Sequence, residues 1–346
     1  MKLTTCVCLL LCVVLLPALC LADSTESNWP EAVQQSPETS WVHGVSARIT
    51  YMWLDETEYL EEIDDDIYRW KERNLMVQVD KALGKARFGL GYIDGTIKQE
   101  NELFNDTDFA LTRKAPFASF DYQWSPHLLT RTRLRYEEFS DDGDSGFYQL
   151  GDDEELWTGY AVISYLDKQW WLNVSYARER DPEPIYDAAS DRVELDITAQ
   201  ELTGSTFGWV WTPQWETSVG VYYESYGSNR PDQFNYTGQL THQPAWFTPL
   251  RASLGIGYYT EEKDTLVNLT LNYRQKIAQG LDLQLEYQLE YSDDEQSLLN
   301  QGQAVFRYTF ATHWSLVVLG EYSRESGDDK DTTLFAAGSL EYRFDS

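Results

Sequence analysis

Residues Leu281–Tyr291 read LDLQLEYQLEY, with every odd position apolar or aromatic and every even position polar. Successive side chains on a strand point to opposite faces, so this strict period of two describes a β-strand with one apolar and one polar face. A helix would scatter the same residues around its circumference. The pattern recurs at Val45-Ala47-Ile49-Tyr51-Trp53, Ala86-Phe88-Leu90-Tyr92, Trp157-Gly159-Ala161-Ile163-Tyr165, Leu250-Ala252-Leu254-Ile256-Tyr258 and Val267-Leu269-Leu271-Tyr273. It closes the chain at Leu334-Ala336-Gly338-Leu340-Tyr342-Phe344. Counting every such segment predicts about sixteen strands, and single-chain bacterial barrels require an even number. In residues 66–80, 113–124 and 200–212 either face could be the apolar one.

The connections alternate in length. Short turns are expected at 125–127, 167–169, 212–214, 278–280 and 311–313, and longer acidic loops near 55–66, 97–112, 139–156, 180–200 and 324–331. Short periplasmic turns and long external loops are the habit of outer-membrane barrels. Trp flanks many of the short turns, and Tyr follows about eight residues later. Eight steps of about 3.3 Å, tilted near 40°, cover roughly 20 Å of the membrane normal, close to one apolar band. Trp124, Trp170, Trp211, Trp215 and Trp314 would then form a periplasmic girdle. Tyr136, Tyr176, Tyr223, Tyr258 and Tyr322 would form the outer one.

Composition narrows the class. Twenty-seven Lys+Arg against 57 Asp+Glu give a formal net charge of −30, the wrong sign for a nucleic-acid footprint. Acidic chains are often disordered, but 13 Trp, 23 Tyr and 14 Phe at regular spacing do not belong to a solvated coil. All four cysteines (Cys6, Cys8, Cys12, Cys20) lie in the first twenty residues, so the remainder has neither disulfides nor thiolate chemistry. That first segment has a positive start at Met1-Lys2, an apolar run to Leu19 and a small-residue site at Cys20-Leu21-Ala22, which reads as a secretory signal peptide over 1–22. Leu19 stands where a lipidation signal at Cys20 would need a small residue. Residues 23–40 are expected to form an N-terminal periplasmic extension, and 41–346 the barrel.

From about residue 41 to the C-terminus the chain resembles the bacterial outer-membrane β-barrel (porin-like) superfamily. The resemblance implies an all-β, single transmembrane antiparallel up-and-down barrel, placed in the outer membrane among lipid and lipopolysaccharide. Gly338, Leu340, Tyr342 and Phe344 resemble the C-terminal signal read by the barrel-assembly machinery, although Asp345 and Ser346 follow where most such proteins end on Phe. Size and strand count resemble the general porins, but the Pro-Glu-Phe-Gly-Gly sequence of their constriction loop is absent.

With the apolar face toward lipid, the other face lines the interior. Arg131, Arg133 and Arg135 alternate with Thr130, Thr132 and Leu134, so one register places all three inside. The other would cost about 2–4 kcal/mol for each arginine near the bilayer midplane. Arg48 and Arg87 fall on the inward face of two earlier strands. Late in the chain the inward row is acidic: Asp282, Glu286, Glu290 and Glu321. Two readings of the interior stay open. In one, opposed charged walls border an open, water-filled pore. In the other, the charges neutralise one another in a closed core, and residues 180–200 could fold inward. Gly44, Ser46, Ser175, Gly255, Gly257, Asn268, Thr270 and Asn272 leave room for water and favour the first.

The acidic loops read as solubilising charge; Asp141-Asp-Gly-Asp-Ser-Gly146 lacks the spacing of a known calcium loop. Only four histidines are present (His43, His127, His242, His313), all near predicted periplasmic ends, with no Gly-x-Ser-x-Gly or His-Glu-x-x-His. The expectation is a passive channel for ions or small hydrophilic solutes, or for an exported polysaccharide, with no catalytic residue, metal or cofactor. A closed structural or adhesion barrel, and more remotely an outer-membrane hydrolase, are the alternatives.

Overall fold

In the computed structural model the described residues are 44–60, 66–101, 109–141, 148–149, 154–187, 192–226, 231–261, 263–293, 296–327 and 330–344. The proposed signal peptide and periplasmic extension lie outside them. The strands are β1 (Val45–Leu60), β2 (Asp66–Leu83), β3 (Ala86–Asn101), β4 (Phe109–Ser125), β5 (Leu128–Asp141), β6 (Tyr148–Gln149), β7 (Glu154–Leu166), β8 (Trp170–Asp187) and β9 (Arg192–Thr212). They continue with β10 (Trp215–Tyr226), β11 (Gln233–His242), β12 (Leu250–Tyr259), β13 (Thr265–Ala278), β14 (Leu281–Ser292), β15 (Leu298–Ala311), β16 (Trp314–Ser326) and β17 (Lys330–Arg343). Sixteen of these form one antiparallel ring in chain order; β6 is a two-residue stub paired in parallel with β9. β17 closes the ring on β1 from Ser46↔Arg343 to Tyr59↔Lys330 without a register shift. Closure leaves no sheet edge, and inside a bilayer only closed barrels and helices satisfy every backbone polar group.

The outward face carries the apolar residues and leaves them exposed: Ile49 and Tyr51 on β1, Val77 and Val79 on β2, Leu90 on β3 at 68%, Ile163 on β7 and Leu254 and Ile256 on β12. The alternating partners are covered, as with Thr50, Gln78 and Asp80. In water this inside-out distribution would expose a continuous apolar belt; in lipid it is the stable one. Trp124, Trp211, Trp215 and Trp314 are exposed at the short-turn end, and Tyr176, Tyr223, Tyr258 and Tyr322 at the other. Trp170, at the same short-turn end, is half-buried and stacks on Tyr165 at 4.6 Å.

Short turns fix the registers at the periplasmic end. Gly280 turns the chain from β13 into β14 at a φ of 75°, and a Cβ there would stand 2.4 Å from the Thr309 carbonyl oxygen. The longest connection at this end, residues 243–249, places Trp246 in solvent or headgroups at 84% exposure.

Strand ends differ from the sequence expectation. β1 runs to Leu60 and β2 restarts at Asp66; β8 runs to Asp187 and β9 restarts at Arg192, where a loop over 180–200 was expected. Backbone pairing continues above the lipid band, where the outward face no longer has to be apolar, so pairing outlasts periodicity. The ambiguity in β2 and β4 also has a cause. Trp70, Met76, Ala115 and Phe117 lie on their inward faces, so both faces carry apolar residues.

Candidate functional site

Leu134 is 54% exposed, so its neighbours Arg133 and Arg135 on β5 point to the opposite, inward face. The Arg133 guanidinium lies 5.3 Å from the Phe117 ring centroid and 5.8 Å from that of Tyr160. Arg135 Nε donates to Thr158 Oγ1 at 3.2 Å and lies 3.3 Å from Glu137 Oε1. Glu137, with no exposed surface, also accepts Arg113 Nε from β4 at 2.8 Å and the Thr158 hydroxyl at 2.6 Å.

A second pair completes the network. Arg180 Nη2 on β8 donates to Glu72 Oε1 on β2 at 2.5 Å, and Trp70 Nε1 donates to the same oxygen at 3.2 Å. β2 and β8 stand five strands apart around the ring, so this contact crosses the interior as a chord. Its geometry has a visible origin. The β7–β8 ladder ends at Gly159↔Arg178, whereas β8 and β9 stay paired to Asp187↔Arg192. Freed from β7, the β8–β9 hairpin brings Arg180 over the Phe139 ring at 5.5 Å, and Ala199 packs against the buried apolar cluster. Gly159, at the departure point, has a φ of 154°, and a Cβ there would lie 2.1 Å from the Arg133 carbonyl oxygen.

That cluster contains Leu54, Trp70, Ile97, Leu111, Phe139, Leu156, Val305, Leu319 and Phe335, drawn from β1–β5, β7 and β15–β17. Ile93, Ala115 and Phe117 form a second one. These inward side chains are shut off from water, so the barrel is packed along this sector. Of the two interiors the sequence left open, this sector takes the packed form.

The opposite sector differs. On β11, Thr237 and Gln239 face inward, between outward Tyr236 and Leu240, yet are exposed. An inward residue exposed to solvent requires water inside the barrel. Near the periplasmic mouth Arg251 Nη2 meets Glu216 Oε2 at 2.9 Å.

The other residues singled out from the sequence occupy local networks. Arg48 meets Glu341 at 3.3 Å and Arg87 meets Asp80 at 3.3 Å. Arg131 stands opposite Asp121 on β4, and Asp282 opposite Lys276 and Arg307. Glu286 accepts Asn272 Nδ2 at 2.7 Å, Glu290 accepts Gln288 Nε2 at 3.3 Å, and Glu321 accepts Gln301 and Gln303 Nε2 at 2.6 and 2.8 Å. Arg48, Arg87 and Arg135 thus meet carboxylates nearby, while Glu286, Glu290 and Glu321 are held by amides. β5 and β14, which carry the two rows, stand eight strands apart in either direction around the ring. Glu72 and Arg180 were not picked out from the sequence, because a contact across the interior leaves no periodic trace; Arg113, on a strand with apolar residues on both faces, was not picked out either. In the last strand Tyr342 packs on Trp314 at 4.7 Å and edge-on to Phe344 at 5.0 Å, and the Phe344 amide bonds the Val45 carbonyl at 3.0 Å.

A closed sixteen-strand ring with an apolar outer belt, aromatic rims and an ionic interior defines the class: an outer-membrane β-barrel of channel size. Neither a protein-family model nor a curated protein matches the sequence. Among solved structures the chain is similar to a bacterial polysaccharide outer membrane secretin, with 10% identity over 88% of this chain and 100% of that one and a TM-score of 0.52. It is also similar to a deltaS2 mutant of the TodX monoaromatic hydrocarbon channel, with 10% identity over 91% and 93% and a TM-score of 0.51. At these identities the likeness is one of fold.

Proposed function

We propose that the protein is a passive outer-membrane channel for small polar solutes. Its path follows the polar wall from β10 to β16 and is narrowed on the other side by the Glu72–Arg180 chord and the apolar cluster beneath it. The observation that carries the reading is the water-accessible inward face at Thr237 and Gln239. The two structural neighbours are, by their names, a polysaccharide secretin and a hydrocarbon channel. A wall of amides, hydroxyls and carboxylates favours a polar cargo over a hydrocarbon one. The charged groups of the chord serve one another, which suits a conduit rather than an enzyme. Export through the signal at 1–22, insertion by the assembly machinery through the last strand, and contact with lipopolysaccharide belong to the same proposal.

The packed sector favours one competing reading, a closed structural barrel. Purified protein in a planar bilayer decides between them. Stepwise conductance is the expected result, and a correctly folded barrel that never conducts would overturn the channel.

A further inference from the structure

Glu321 on β16 sits where the packed sector meets the polar wall. Leu319 precedes it on the same face, Phe335 stands opposite on β17 and Gln303 opposite on β15. Its side chain is buried, both of its hydrogen-bond donors are amides, and the charged group acting on it is another carboxylate, Glu286. Gln303 also stands opposite Glu286 on β14, which in turn stands opposite Asn272 on β13. Asn272, Glu286, Gln303 and Glu321 therefore form one inward row across four adjacent strands.

The row is rich in acceptors. Gln303 commits its Nε2 to Glu321, and among the described residues its buried Oε1 accepts no hydrogen bond. Asn272 commits its Nδ2 to Glu286. What the row still offers is two negative charges and an amide carbonyl between them. A buried carboxylate without a cation and a buried carbonyl without a donor are both costly. The cations nearest the row stand at its β12–β13 end: Arg251, opposite Asn272, is engaged by Glu216 at 2.9 Å, and Arg274 stands one inward position below Asn272, opposite Gln284, with its side chain exposed. Lys276 and Arg307 stand lower, opposite Asp282, and Glu290, higher on β14, is itself acidic, so the Gln303–Glu321 end of the row has no cation directly opposite it.

We propose that this row binds the primary ammonium group of a small solute, a reading that rests on the channel function and names its cargo class. An ammonium is a compact charge with three N–H donors, matched here by three acceptors from three adjacent strands. Glu286 and Glu321 are two strand spacings, roughly 10 Å, apart at the backbone. Asn272 holds Glu286 Oε2, so sharing one ammonium with Glu321 requires the other Glu286 oxygen to turn over Gln303. A hard metal ion fits less well, since it asks for six or more oxygens. Among the described residues no group of three His, Cys, Asp or Glu is placed to hold one.

The test is calorimetric titration of n-butylammonium chloride into the barrel refolded in neutral detergent, with folding checked by heat-modifiable migration. Saturable binding is expected, weakened about tenfold or more in Glu286→Gln and Glu321→Gln and unchanged in the exposed-loop control Glu261→Gln. Tetramethylammonium, with the same charge and no N–H, should bind at least about tenfold more weakly. If Glu321→Gln does not refold, Glu286→Gln, only half-buried, carries the same expectation. Binding unaffected by either substitution overturns the proposal, as does equal affinity for tetramethylammonium or tighter binding of calcium. Absence of binding overturns the ammonium site and leaves the channel to its conductance test. A non-conducting barrel that still binds n-butylammonium overturns the channel alone.

Discussion

Glu137 shows what a single residue does inside this barrel. It has no exposed surface, lies between Arg113 and Arg135, and takes a hydroxyl from Thr158. Replacing it with Gln leaves two buried guanidiniums without their carboxylate. Breaking a buried ion pair from one side costs about 3–5 kcal/mol, so Glu137→Gln should lower the urea midpoint of the folded barrel in detergent. An unchanged midpoint would mean that water reaches this network. Arg131 lies below the network and is half-buried. Arg131→Gln should keep the unfolding free energy within about 0.5 kcal/mol, in the range of substitutions away from such features. Under a salt gradient it should move the reversal potential toward cation selectivity, because the acidic row on β14 then weighs more in the lumen. A folded, conducting variant with an unmoved potential would place Arg131 off the conduction path.

Two elements carry the architecture beyond their own residues. β17 closes the ring on β1, and the aromatics at its end are the proposed assembly signal, so removing Tyr342–Ser346, or changing Phe344→Ala, should leave the chain in the periplasm for degradation. Outer-membrane fractionation and heat-modifiable migration read this directly, and normal insertion of the deletion would show that assembly does not depend on this segment. β7 depends on Gly159, where the backbone takes a φ of 154° against the β5 carbonyl of Arg133. Gly159→Ala forces the two strands apart at the point where β8 leaves the ladder. The expected result is a loss of more than about 1 kcal/mol and a less compact outer end, measured by urea titration and by protease sensitivity of the β8–β9 hairpin.

The whole molecule divides into a packed sector and a wet one, and the chord from β2 to β8 helps to maintain the division. Removing both charges together, as Glu72→Gln with Arg180→Met, avoids stranding either partner. It should cost less than either single change and raise the single-channel conductance by loosening the hairpin over the lumen. Equal conductance in the folded double variant would show that the chord does not bound the path.

The alternation at Leu281–Tyr291 and its repeats were enough to dictate strands, an even count, a lipid-facing side and the placement of Arg133 and Arg135 away from it, because strand periodicity and burial in lipid are local rules that act residue by residue. The early and late charged rows were visible for the same reason, as was the possibility that residues 180–200 turn inward. Which groups each charge would meet was not legible. Arg180 reaches Glu72 only because β8 outlasts its pairing with β7, and Gln303 comes to stand between Glu286 and Glu321 only through the register of three consecutive strands. Distances across a closed ring depend on the packing of every strand between, and no window of the sequence contains that information.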